Sequence, residues 1–250
     1  MALELIDIIQ GTFSLIFVVI SLIVGITILL KYSQYKKVIY ILVGLSWIGL
    51  ANPWMPDSIS FLMIMFGLAP LPDVLYFIIG NAFLPLFLVF WISALTELLY
   101  KNKQKLLILL FVALGIAFEI VFFSLLLIHP SYIGVINPEH PFTVDFGIFI
   151  TLYLIAFIII LLVTGILFAR NSLKSSNQEV KLKGRLLLAA FLLFTIGAIL
   201  DSSIGMIFKL SNPVLPILVV ITRVILMLSA ISFYGGFILP KWMHRIFTRE

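Results

Sequence analysis

Arg223 lies ten positions into the apolar run 213–239 and is the only Lys or Arg within any hydrophobic segment of the chain. A guanidinium at bilayer depth costs at least about 2.5–3.5 kcal/mol, so such groups pair with an acid or face an internal cavity. Glu119 and Asp201 interrupt other apolar runs in the same way, and Asn81 adds an amide to a fourth. Such side chains can close an ion pair, bind an anion or carry a proton. A helix rises about 1.5 Å per residue, which puts Arg223 about 15 Å in from Pro213 and near the midplane. The same count puts Glu119 about 21 Å from Lys105, Asp201 about 24 Å from Arg185 and Asn81 about 12 Å from Asp73, all in the outer half of the membrane. The four are expected to converge on one layer and to line a polar cavity there. Asp201 is the expected partner of Arg223, because the short connection between their helices makes them neighbours.

A plainer role competes with this one. An Arg–carboxylate pair can simply lock two helices together, and Asn81 can bond a neighbouring backbone group. Gly197, Asp201 and Gly205 recur at i, i+4 and i+8, the small-residue spacing of close helix contact. Glu119 is the group a single pair leaves over. Phe77, Phe118, Phe122, Phe123, Met206 and Met227 stand at similar depth, where packing or lipid contact is the ordinary role and lining of a pocket the special one.

The elements that must position these residues are helices in a bilayer. With 63% hydrophobic and 11% charged residues and a mean hydropathy of +1.25, the chain departs far from soluble domains, whose charged share is about 25%. Crossing about 30 Å of hydrocarbon takes about 20 apolar helical residues, and only helices or closed barrels satisfy their backbone there. The runs are too long and continuous for barrel strands. Seven spans are expected at about 8–30, 38–54, 73–99, 106–128, 146–169, 186–208 and 213–239, forming an all-α seven-transmembrane bundle in a single domain, 1–250. The first run opens with acidic Asp7 and no cleavage site follows it, so it reads as a retained helix and not a signal peptide.

Charge sets the orientation. Fourteen of the 16 Lys and Arg residues fall between spans one and two, three and four, five and six, or after span seven. The opposite side carries Lys209 with Asp7, Asp57, Asp73, Glu139 and Asp145. The excess of cations on one side predicts an N-terminus outside and a C-terminus in the cytoplasm of the cell membrane. The net charge of +5 is thus a topology signal, and no nucleic-acid partner is expected.

Two connections are longer than minimal. Pro56 is expected to end the second helix, with Asp57 or Ser58 capping a short apolar helix at about 59–67 on the outer interface or tucked in as a re-entrant piece. The stretch 129–143, with three prolines, reads equally as an ordered lid or a plain loop. The tail 240–250 forms a short amphipathic helix, with Trp242, Ile246 and Phe247 towards lipid and Lys241, Arg245 and Arg249 towards headgroups. No internal repeat is visible.

Catalysis is not expected. His129, His140 and His244 fall at opposite ends, so they cannot meet as metal ligands or serve Ser202 or Ser203 as a base, and no cofactor is implied. There is no cysteine. A retinal protein would need a Lys in the middle of span seven, where this chain has Thr222-Arg223. Leu84-Pro85-Leu86-Phe87-Leu88-Val89-Phe90-Trp91 ahead of a basic loop, Lys183-Gly184-Arg185-Leu186-Leu187-Leu188 opening span six, and Phe233 to Leu239-Pro240 closing span seven carry a resemblance over most of the chain. By these features it resembles the seven-transmembrane sensor module of some prokaryotic histidine kinases, and uncharacterised archaeal seven-helix membrane proteins. The resemblance implies a sensory role and transfers no site residue. Only about ten residues follow span seven, so the signal is expected to pass to a separate cytoplasmic partner. A receptor for a small external ligand is the leading expectation, a transporter or channel using Glu119, Asp201 and Arg223 the alternative, and a subunit of a membrane complex the third.

Overall fold

A computed structural model describes residues 3–207 and 213–248, except the side chains of 204–207 and 247–248. Lys209, Arg249 and the end of the sixth expected span at 208 therefore lie outside the described residues, and the side-chain surroundings of Gly205, Met206 and Phe247 are outside them too. The chain is all-α and 83% helical. Among the described residues six helices are long and apolar enough to cross a membrane: Leu5–Tyr35, Asp73–Leu99, Lys101–Ile128, Ile148–Leu173, Gln178–Ser203 and Leu215–Ile238. These mark a membrane protein.

In chain order the helices are α1 (Leu5–Tyr35), α2 (Ile39–Leu50), α3 (Met55–Met65), α4 (Asp73–Phe77), α5 (Leu84–Leu99), α6 (Gln104–Ile128), α7 (Ile148–Leu173), α8 (Gln178–Ile207), α9 (Leu215–Ile238) and α10 (Lys241–Thr248). A 3₁₀ turn, Asn52–Trp54, joins α2 to α3, and a π-helical turn, Ile78–Ala82, joins α4 to α5. The expected span 38–54 is therefore corrected. Its helix, α2, has 12 residues, about 18 Å of rise, and the chain then restarts as α3, Met55–Met65, where a short helix at about 59–67, interfacial or tucked in, is expected. Pro53 and Pro56 both fall in the first positions of their elements, where a missing N–H costs nothing.

The restart keeps the direction of α2. As α1 is followed back towards its N-terminus, its partners advance from 44 to 61. Gly25 lies against Gly44 and Ile48, and Gly11 against Phe61. Between them, Phe17 packs edge-on at 5.0 Å from Trp54, and Ser14 bonds Asp57. Residues 39–65 thus run antiparallel along nearly the whole of α1, as one broken helix. A Cβ on Gly44 would stand 2.6 Å from the Gly25 carbonyl, so the backbones touch and neither position accepts a side chain without separation of the helices.

Neighbour contacts follow the order α6, α5, α2, α1, α9, α8, α7. The ring is tied across by Trp91 of α5, whose indole donates to Thr164 of α7 at 2.8 Å and packs against Phe168 and Phe191. Its centre is solid: Trp47 stacks on Phe233 at 3.9 Å and contacts Phe194, and the void among Ser46, Trp47, Trp91, Phe157 and Phe233 is only about 10 Å³. At the end bearing the N-terminus, residues 129–143 form part of an ordered cap, with strands β1 (Gly134–Ile136) and β2 (Val144–Phe146) paired antiparallel. Ile133 joins Phe77, Phe118, Phe122 and Ile150 in a second apolar cluster beneath it, so those phenylalanines are packing residues.

Candidate functional site

Arg223 occupies the third turn of α9, and Asp201 the seventh turn of α8. Gly197, one turn before Asp201, lets the helices approach: a Cβ there would meet Leu226 at 2.8 Å. Arg223 Nη1 donates to Asp201 Oδ2 at 2.8 Å, and only 3% of the Arg side chain is exposed. A guanidinium so enclosed is costly unless it is paired.

It has two carboxyls. Asp57 Oδ2 stands 3.9 Å from Arg223 Nη2, within ion-pair range but beyond hydrogen-bond length. Asp57, expected as a candidate N-cap of a short helix on the outer side, is carried into the bundle by the continuation of α3 along α1, where its side chain is 7% exposed. Tyr76 of α4 donates its hydroxyl to Asp57 Oδ1, and Ser14 of α1 donates to Oδ2 at 3.3 Å. Trp54 completes the group: its indole N–H donates to Asp201 Oδ2 at 2.9 Å while its ring lies 5.6 Å from the guanidinium carbon, a cation–π distance. Ser14, Trp54, Asp57, Tyr76, Asp201 and Arg223 thus bring six elements to one charged hub. Arg223 Nε has no hydrogen-bond partner among the described residues, so one edge of the guanidinium is uncommitted.

The other two expected members lie elsewhere. Asn81, 2% exposed, donates to the Phe77 carbonyl one turn back at 3.1 Å, holding the π-helical turn and not the hub. Glu119 projects from α6, where it faces Tyr153 of α7 electrostatically. Phe118 stacks on that tyrosine at 3.8 Å, and neither Glu119 Oε2 nor the Tyr153 hydroxyl has a hydrogen-bond partner among the described residues.

Above the hub, the cap is fastened. His140, 8% exposed, meets fully buried Asp7 at 3.0 Å, and Phe142 packs edge-on against Phe61 of α3. Asp7 also accepts the Glu4 amide at 3.0 Å, so one carboxylate both caps α1 and holds the hairpin. Spacing alone does not reveal the roles of Asp57, Tyr76 and His140, because each depends on the path of a broken helix or loop. The length of 39–65, 27 residues and equal to the Asp73–Leu99 span, is the signal that could have led to Asp57.

Among the described residues no group of three His, Cys, Asp or Glu side chains stands close enough to hold a metal ion. What the hub can do is move a cation between carboxyls, or offer the free Arg223 edge to a planar anion. No family model, curated protein or solved structure matches the chain.

Proposed function

We propose that the chain is a receptor-like sensory protein of the cell membrane with seven crossings, the broken helix 39–65 being the second. Its N-terminus is outside and its C-terminus cytoplasmic, and Arg223 is its two-position switch. The observation that carries this reading is one cation between two carboxyls on different elements, bonded to Asp201 at 2.8 Å and unbonded at 3.9 Å from Asp57. Two discrete pairings of one buried Arg give a bistable element, which a ligand biases only if it favours one pairing. A small external anion, such as a carboxylate, would pair with Arg223 Nε, which has no hydrogen-bond partner among the described residues, and compete with Asp57 for Nη2. The two helix breaks adjoin the hub, through Trp54 in the 3₁₀ turn and Tyr76 just before the π-helical turn, as interrupted helices do at membrane binding sites. In this reading the signal leaves through the basic end to a separate partner.

Hydrogen exchange on the full chain in nanodiscs tests the coupling. Asp201→Asn, which weakens one pairing, is expected to change amide protection at the hub and also at the remote basic end, residues 171–185 and 241–248. A change confined to the α8–α9 contact overturns the sensory reading and leaves a helix lock.

Transport is a second reading, favoured by the carboxyl oxygen Oε2 of Glu119, which has no hydrogen-bond partner among the described residues. In that case Glu119→Gln abolishes flux in proteoliposomes.

A further inference from the structure

At the basic end, the chain turns sharply after α9. Leu239 adopts a left-handed conformation, φ 46°, with its N–H bonded to the Gly235 carbonyl, and Pro240 then accepts the amides of Met243 and His244 at 3.0 Å. This lays α10 across the ends of α8 and α9, and its positions sort into three faces. Met243 is buried with Leu182, Leu186 and Leu239, filling the place a side chain at Gly235 would take. Trp242 and Ile246, one turn apart, are 53% and 64% exposed. Lys241, His244 and Arg245, at i, i+3 and i+4, share the remaining face and line a cleft of about 480 Å³ together with Leu239 and Glu179. Glu179 is the cleft's acid, and its carboxylate is paired with Lys183 at 2.9 Å, so Lys241 and Arg245 leave the lining net positive.

We propose that this cleft binds the phosphate-bearing headgroup of an anionic lipid. The occupant follows from the arrangement: cations converge on a space of ligand size, and the same short helix exposes Trp242 and Ile246 beside it, a pair suited to the headgroup–acyl boundary. A headgroup held by Lys241 and Arg245 keeps its chains where those two side chains enter the bilayer. Because α10 seats on Gly235 and on Leu186 beside Gly236 and Leu187, the occupied cleft clamps the α8–α9 pair that carries Asp201 and Arg223 at its other end. The site is independent of the Arg223 switch and stands if that reading fails.

The test uses the full chain in phosphatidylcholine vesicles doped with brominated phosphatidylserine or, in the matched arm, brominated phosphatidylcholine. Trp47, Trp54 and Trp91 are at most 6% exposed, so bromine quenching reports on Trp242. Phosphatidylserine is expected to quench at much lower mole fraction than phosphatidylcholine. The exposed double variant Lys241→Gln/Arg245→Gln is expected to cut that preference about 25-fold, about fivefold for each cation removed. Glu179→Gln is expected to raise it. Coincident curves for the two lipids, a preference unchanged in the double variant, or a fall with Glu179→Gln each overturn the site. Added inorganic phosphate is expected to leave quenching unchanged, and its abolition of the preference overturns the lipid assignment in favour of a soluble phosphate.

Discussion

At the scale of the residue, Arg223 is defined by what surrounds it: two carboxyls, one indole and, among the described residues, no hydrogen-bond partner for Nε. Burial makes this costly to disturb. Removing one member of a buried ion pair leaves an uncompensated charge, typically a loss of 3–5 kcal/mol, whereas removing both is often close to neutral. Arg223→Ala is therefore expected to lower stability by about 3–5 kcal/mol in detergent unfolding, with much of that recovered in Arg223→Met/Asp201→Asn. Asp57→Asn is expected to cost less than Asp201→Asn, because Asp57 is 3.9 Å from the guanidinium and Asp201 is bonded to it. Equal losses from the two Asn variants would contradict the ranking. The pairing of Arg223 with Asp201 was legible because both lie in uninterrupted helices, where depth is a count of residues. Asp57 was not, since its depth depends on whether the chain stops or continues at Pro53 and Pro56. Glu119 and Asn81 face away from the hub: one turns to Tyr153 and the other to its own helix. A single sequence fixes how deep a residue lies more readily than which neighbour it faces.

At the scale of the element, the two interrupted helices are joined by their interruptions. Asn52, in the 3₁₀ turn, donates its amide to the Ile79 carbonyl in the π-helical turn. Each break frees backbone groups that lipid cannot satisfy, and this bond lets one break serve the other. Asn52→Ala is expected to destabilise by about 1–3 kcal/mol, the cost of a buried carbonyl left without its donor. Asn81→Ala, which removes only a bond within its own helix, is expected to cost less in the same thermal unfolding measurement. Most helices were legible from apolar length, and their ends fall within several residues of the runs. The π-helical turn carries no compositional mark beyond Asn81 and Pro85, and Pro56, read as the terminator of the second helix, stands in the first turn of α3. Proline reports that a hydrogen bond is missing, but only packing on α1 decides whether the next helix turns away.

At the scale of the whole molecule, the end with the N-terminus is closed by a hairpin tied through His140 to Asp7, the middle is filled by aromatic rings around Trp47, and the basic end is overlaid by α10. The hub sits between the closed cap and the packed centre. Six elements contribute to it, so a change in which carboxyl holds Arg223 would act directly on α1, α3, α4, α8 and α9. The absence of native cysteine makes that transmission directly measurable. Spin labels at Phe66→Cys, just after α3, and Ile217→Cys, in the first turn of α9, both on exposed positions, report the distance between the elements that carry Asp57 and Arg223. Pulsed electron spin resonance in nanodiscs is expected to show one dominant distance in the otherwise unaltered protein and in Asp57→Asn, and a shortened distance in Asp201→Asn as Arg223 moves to Asp57. Three superimposable distributions would contradict the switch and reduce Arg223 to a fixed bridge between two helices.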